Sequence, residues 1–179
     1  AYGILARIYK DHYSATGASH YLEKAIDTYL SGFHFNPENY YPGVAALELL
    51  WTIPGPEAQK EAEALFKLVK TALDQSLQKN PNFWAYATKL SLLMKNKNWI
   101  EIAKVVPKLI ETGTVMSLQS SLDGYTRLAE TWKKDLSVTE SDQTKLQGVL
   151  DQLKVAVENL KSDLANRPSI AEPYRKFPD

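Results

Sequence analysis

Apolar residues return every three or four positions through nearly all of this chain, with polar residues between them. That spacing puts the apolar side chains on one face of a helix, and Pro, Gly and Asn mark the breaks. The pattern predicts about eight helices and no strand. The first covers about 1–13 and the second about 19–35, separated at Gly17 and Ser19. Leu22, Ala25, Ile26, Tyr29 and Phe33 form the inner stripe of the second. Pro37 closes the pair, since proline cannot donate to a helical ladder. The third helix, about 40–52, carries Val44, Leu47, Leu50 and Trp51, and its first turn accommodates Pro42. Ile53-Pro54-Gly55-Pro56 stops it.

The fourth helix, about 57–79, separates its faces best: Ala58, Ala62, Leu65, Phe66, Val69, Leu73 and Leu77 oppose Glu57, Lys60, Glu61, Lys67 and Lys70. After Asn80-Pro81, helix five (about 82–95) uses Trp84, Ala87, Leu90 and Met94. Helix six (about 98–112) starts on Asn98, a favourable cap, and buries Ile102, Ala103, Val106 and Ile110. Pro107 inside it should kink or restart the helix. Helix seven (about 114–135) carries Val115, Leu118, Leu122, Tyr125, Ala129 and Trp132. Helix eight (about 140–166) begins at a capping-box-like Thr139-x-x-Asp142 and buries Leu146, Val149, Leu153, Val157, Leu160 and Leu164. Residues 167–179 are expected to form an irregular tail.

Connections of a few residues favour antiparallel neighbours. The expected fold is therefore all-α, an array of helical hairpins (an α-solenoid), with a compact helical bundle as the alternative. Tyr2, Leu5, Ala6 and Tyr9 are spaced like the first-helix signature of a tetratricopeptide repeat. Ala25, Tyr29, Gly32 and Pro37 match the second-helix signature, with about seven extra residues between the halves relative to the 34-residue unit. Such a unit cannot bury its own apolar face, so it stacks on neighbours and creates surfaces that grip other proteins. Three segments are expected: tetratricopeptide-like repeats over 1–112, a C-terminal hairpin packing on them over 113–166, and the tail.

Composition removes several function classes. At 179 residues the chain can bury roughly 70% of its unfolded surface without a staple. It has no cysteine, so disulfides, thiolate metal sites and a cysteine nucleophile are excluded. Lys plus Arg equals Asp plus Glu at 21 each, leaving no overall field for nucleic acid or an anionic membrane. No apolar run approaches the ~20 residues of a membrane span. The first residue already sits inside a helical pattern, so the chain reads as a piece of something longer, working in the cytoplasm.

The run Arg7-Ile8-Tyr9-Lys10-Asp11, then Ala25-Ile26-x2-Tyr29-x2-Gly32-Phe33, then Tyr40-Tyr41-Pro42-Gly43-Val44, resembles one family. It is similar to the TRAF-binding, tetratricopeptide-like region of the apoptosis signal-regulating kinases and its bacterial relatives. Phe83-Trp84-x2-Ala87-Thr88 is similar to a later segment of the bacterial members. The resemblance spans roughly residues 1–112 and departs at Ala45, where the family tends to carry Asn. It implies a helical-repeat scaffold that positions flanking domains and recruits partners, without catalysis of its own.

Candidate chemistry is sparse. His12, His20 and His34 do not stand at ligand spacing, so neither metal nor cofactor is expected. No phosphate loop, nucleophile elbow or zinc-protease motif occurs. Glu57, Glu61 and Glu63 read as a solvated helix face. Tyr9, Tyr29, Trp84 and Trp132 fall on core stripes, which argues against nucleic-acid stacking. Gly43 follows Pro42 at a helix entrance, a backbone reason for glycine. Arg7, Lys10 and Asp11 fall where tetratricopeptide repeats face their inner groove, and the same register turns Tyr41, Glu48, Asn82 and Lys89 inward. These seven are the candidate partner-binding residues, with charge pairing between helices as the simpler alternative for Arg7, Lys10 and Asp11. The nearly heptad last helix can pack on helix seven or pair with a second copy.

The function expected is a non-catalytic protein interaction scaffold within a multidomain signalling or defence protein. Its partner would be another protein or a flanking domain. The alternative is a small-molecule or nucleotide sensor with a pocket lined by Tyr40, Tyr41, Trp51 and Trp84.

Overall fold

The computed structural model describes residues 2–166. Over these it contains eight α-helices and no strand: α1 (Tyr2–Thr16), α2 (Ser19–Phe35), α3 (Tyr40–Leu50), α4 (Pro56–Lys79), α5 (Phe83–Lys95), α6 (Trp99–Thr112), α7 (Val115–Trp132) and α8 (Glu140–Ala165). Turns of two to seven residues join them. The chain divides into two compact units, residues 1–85 and 86–179, with α5 spanning the division. The predicted irregular tail at 167–179 lies outside the described residues.

In the first unit α1 packs on α2, α2 on α3 and α3 on α4. Local chemistry fixes each corner. Gly17 ends α1 in the left-handed region at φ 69°, where a Cβ would be strained. Asn39 caps α3 by accepting from the Tyr41 amide. Gly55, at φ 117°, and Pro56 at the first helical position open α4. The core is built from Ala6, Ala25, Ile26, Tyr29, Phe33, Leu47, Leu50, Leu65, Val69 and Leu73. Fully burying one such leucine contributes about 2 kcal/mol.

Gly43 serves packing rather than the helix entrance. A Cβ there would lie 2.6 Å from Val69 Cγ2 and 3.0 Å from the Phe33 ring, so α2, α3 and α4 meet at its missing side chain. The α1 signature positions diverge: Ala6 is wholly buried, whereas Leu5 is 45% exposed and Tyr2 43%. Ile4, Leu5 and Ile8 form an apolar outer ridge on α1.

In the second unit α8 packs on α7 and α6, around Leu90, Leu93, Met94, Ile102, Leu109, Leu118, Leu146 and Leu153. Two expectations are corrected here. Helix α6 runs unbroken through Pro107 rather than restarting. Ala103, whose carbonyl loses its donor to that proline, is itself exposed, so water can satisfy it. Eight stripe positions also prove peripheral. Ala87, Ile110, Val115, Leu122, Ala129 and Leu160 are half-buried, and Ala103 and Leu164, both expected inside, are exposed. The reciprocal capping box occurs at Thr114 and Ser117 of α7. At α8 Thr139 Oγ1 accepts from the Asp142 amide and donates to the Asp142 carboxylate.

Trp84 is likewise not core. It is 67% exposed, lying edge-on to Phe83. Helix α5 is covered on most sides, and Trp84, Ser91 and Lys95, at i, i+7 and i+11, mark its solvent stripe.

Candidate interaction face

Four of the seven candidate residues converge on one face of the first unit. Arg7 and Asp11 stand one turn apart on α1, with the guanidinium Nε 3.9 Å from Asp11 Oδ2 and both side chains largely exposed. Tyr41 and Glu48 stand two turns apart on α3, and both are exposed. Between these helices α2 supplies Tyr29, whose side chain is only 2% exposed. Burial pushes the Tyr29 hydroxyl above its ordinary pKa. Tyr41 pushes it the same way, Arg7 opposes, and Asp11 and Glu48 add to the rise. The hydroxyl is thus within electrostatic reach of all four residues.

The other three candidates are placed apart from that cluster. Lys10 is exposed on α1, about a sixth of a turn around the helix from Arg7 on the side away from Asp11. Asn82 is engaged in local structure: its Oδ1 accepts from the Ala85 amide and its Nδ2 donates to the Asn80 carbonyl, capping α5. Lys89 belongs to the second unit. The aromatic set proposed for a sensor pocket includes two residues largely in solvent, Tyr41 at 61% and Trp84 at 67%.

The histidines have structural settings. His12 stacks on Tyr21 at 5.1 Å, and His20 lies 4.0 Å from the same ring. Among the described residues no group of three His, Cys, Asp or Glu could hold a metal ion. No described helix is long and apolar enough to cross a membrane. An open depression of ≈ 370 Å³ on α7 is lined by Val115, Met116, Gln119, Ser120, Asp123 and Arg127.

Sequence reasoning missed a second polar cluster, in the other unit. Asp142, buried at the start of α8, accepts from Trp99 Nε1 at 2.8 Å and from Thr139 Oγ1 at 2.9 Å, with Lys97 Nζ at 3.4 Å. The Trp99 bond is the largest influence holding its carboxyl below the ordinary value. Lys97 also donates to the Ser137 carbonyl and lies over the Trp132 ring, which meets Trp99 edge-on. Every partner is internal, so the cluster clasps the α5–α6 turn to the α7–α8 turn. Only the Thr139-x-x-Asp142 spacing hinted at it.

Helical hairpins with an exposed polar face between α1 and α3 define a tetratricopeptide-like helical protein. Comparison with known families agrees over the first three helices: residues 1–50 match the family model described as Tetratricopeptide Repeats-Sensor. No curated protein and no solved structure matches the chain. The match suggests an interaction or sensing role for this region.

Proposed function

We propose that the chain is a non-catalytic interaction scaffold. In this reading the face carrying Arg7, Asp11, Tyr41 and Glu48, with Lys10 at its edge beside Arg7, recruits a protein partner or a flanking domain within a cytoplasmic signalling or defence protein. The resemblance to the TRAF-binding region of the apoptosis signal-regulating kinases, and to its bacterial relatives, supports that setting. The observation that carries the reading is the Arg7–Asp11 and Tyr41–Glu48 register over Tyr29, inside the segment matched to a tetratricopeptide family. A face preformed on packed helices binds without the cost of ordering itself. Co-purification of the chain with its flanking domains, repeated with Arg7→Glu plus Lys10→Glu, tests this. Both side chains are exposed, so the reversal should abolish capture and leave the thermal midpoint within a degree or two.

The word Sensor in the matched family's description favours a second reading, a small-molecule or nucleotide sensor. A thermal-shift screen against nucleotides separates the two. A reproducible rise of several degrees with one ligand supports sensing, since a ligand that binds only the folded state stabilises it. A flat screen with retained partner capture supports the scaffold.

A further inference from the structure

We propose that the open depression on α7 is a docking groove for the chain's own segment 168–174, which lies along it as an extended strand with Glu172 against Arg127. The groove belongs to the second unit and does not depend on the scaffold reading of the first.

Where α8 ends fixes where the segment starts. Lys161 Nζ donates to Gln119 Oε1 at 3.2 Å, which sets residue 161 of α8 level with residue 119 of its antiparallel neighbour α7. Four residues further on, Ala165 closes α8 level with Val115, at one end of the depression. From Val115 to Arg127 the groove runs about 18 Å, at about 1.5 Å per helical residue. An extended chain rises about 3.3 Å per residue. After a reversal through Asn166 and Arg167, Pro168 at Val115 puts Ile170 beside Gln119 and Ser120, and Glu172 level with Gly124. The Arg127 guanidinium already stands there, its Nη2 4.0 Å from where a Gly124 Cβ would lie.

The sequence of the segment suits that path. Alternate residues of an extended chain share a side, so Pro168, Ile170, Glu172 and Tyr174 would face α7 together. Proline at 168 and 173 fixes its own φ and biases Arg167 and Glu172 to extended backbone. The half-buried Val115 and the 84% exposed Met116 offer Pro168 and Ile170 an apolar end. Further along, Asp123 is taken by Gln119 Nε2 at 2.9 Å, and Arg127 forms no ion pair with the described residues. Lys161 shares its edge of α8 with Lys154 and Glu158, and beyond Arg127 Glu130 pairs with Lys133. Counting all of these, cations outnumber carboxylates along the groove by one, and Arg127 is the group that Glu172 would meet. One exposed ion pair adds little by itself. Tethering supplies the rest, since a short connection holds the segment at roughly millimolar effective concentration.

The chain has no cysteine, so Ala171→Cys, on the side turned away from α7, carries a single spin label on the whole chain. Methyl NMR of the two methionines then reads the contact. The label should broaden Met116. Arg127→Glu should lower the docked fraction severalfold and sharpen that signal, and adding Glu172→Arg should broaden it again. Arg127 is exposed, so the thermal midpoint should hold. A sharp Met116 signal in the labelled parent, equal broadening after Arg127→Glu, or a charge swap that restores nothing overturns the proposal. Spin-labelled chain mixed with unlabelled, methyl-observed chain should leave Met116 sharp. Broadening in that mixture means that the segment docks on another copy, which also overturns it.

Discussion

Trp99 donates its indole N–H to Asp142 Oδ1 at 2.8 Å, joining the first residue of α6 to a carboxylate forty-three positions later. The same carboxylate anchors Thr139 and Lys97, so a single side chain holds two turns of the second unit together. Its charge is therefore structural. Removing it orphans a half-buried indole N–H and a lysine, while Thr139 still caps α8 through its own oxygen.

Asp142→Ala should cost about 2–3 kcal/mol in urea unfolding, the scale of hydrogen bonds to a buried charge. The pH dependence has a fixed sign. The folded pKa lies below the ordinary 3.8, chiefly because of Trp99, so the contribution is complete above the ordinary value. It is lost as pH falls through the folded value. Acid titration followed by tryptophan fluorescence should show this loss in the parent chain and not in Asp142→Ala.

Lys97 reaches the clasp from a backbone at φ 51°, a conformation that costs a non-glycine residue roughly 1 kcal/mol. Both Lys97→Ala and Lys97→Gly lose the contacts to Asp142, Ser137 and Trp132. Glycine removes the backbone strain as well. The Gly variant should therefore be the more stable of the two by about 1 kcal/mol in parallel urea titrations. Equal stability would mean that the turn relaxes when the side chain leaves.

Two glycines should respond in opposite directions. At Gly43 a Cβ would press on Val69 and Phe33, so Gly43→Ala should destabilise by about 1–3 kcal/mol. At Gly148, mid-helix and exposed, nothing lies within 4 Å of the added carbon. Gly148→Ala should stabilise by about 0.5–1 kcal/mol, by improving helix propensity. Calorimetric midpoints of the pair give the signs directly.

What could be read in advance follows from how local each determinant is. Asn98 and Thr139 cap their helices from within a few residues, and the breaks at Pro37 and Ile53–Pro56 are equally local. Trp84 misled because α5 is buried on most sides, and periodicity then loses its power to choose the outer face. Asp142 was visible as a cap but not as a clasp, since its main partner lies on another helix. On the candidate face, register alone aligned Arg7 with Asp11 and Tyr41 with Glu48. Asn82 shared the register and yet caps α5, a role that its position before Phe83 made equally available.

Tyr125 gives a test at the alkaline end. Its ring is buried in α7, and burial pushes its pKa up to about 12 despite the bond to Ser91 Oγ at 3.3 Å, which pulls the other way. In the unfolded chain the phenol ionises near its ordinary 10.0. A raised folded value means that this group's contribution is intact below pH 10 and declines as pH rises toward about 12. At neutral pH Tyr125→Phe should cost about 0.5–1 kcal/mol, the net worth of one hydrogen bond whose exposed partner can turn to water. Above pH 10 the parent chain loses stability through ionisation of the unfolded phenol, and the Phe variant has no phenol there to ionise. The stability gap between them should shrink and then reverse across that window, measured by urea titration at a series of pH values. A constant gap would mean that Tyr125 is already open to solvent in the folded chain.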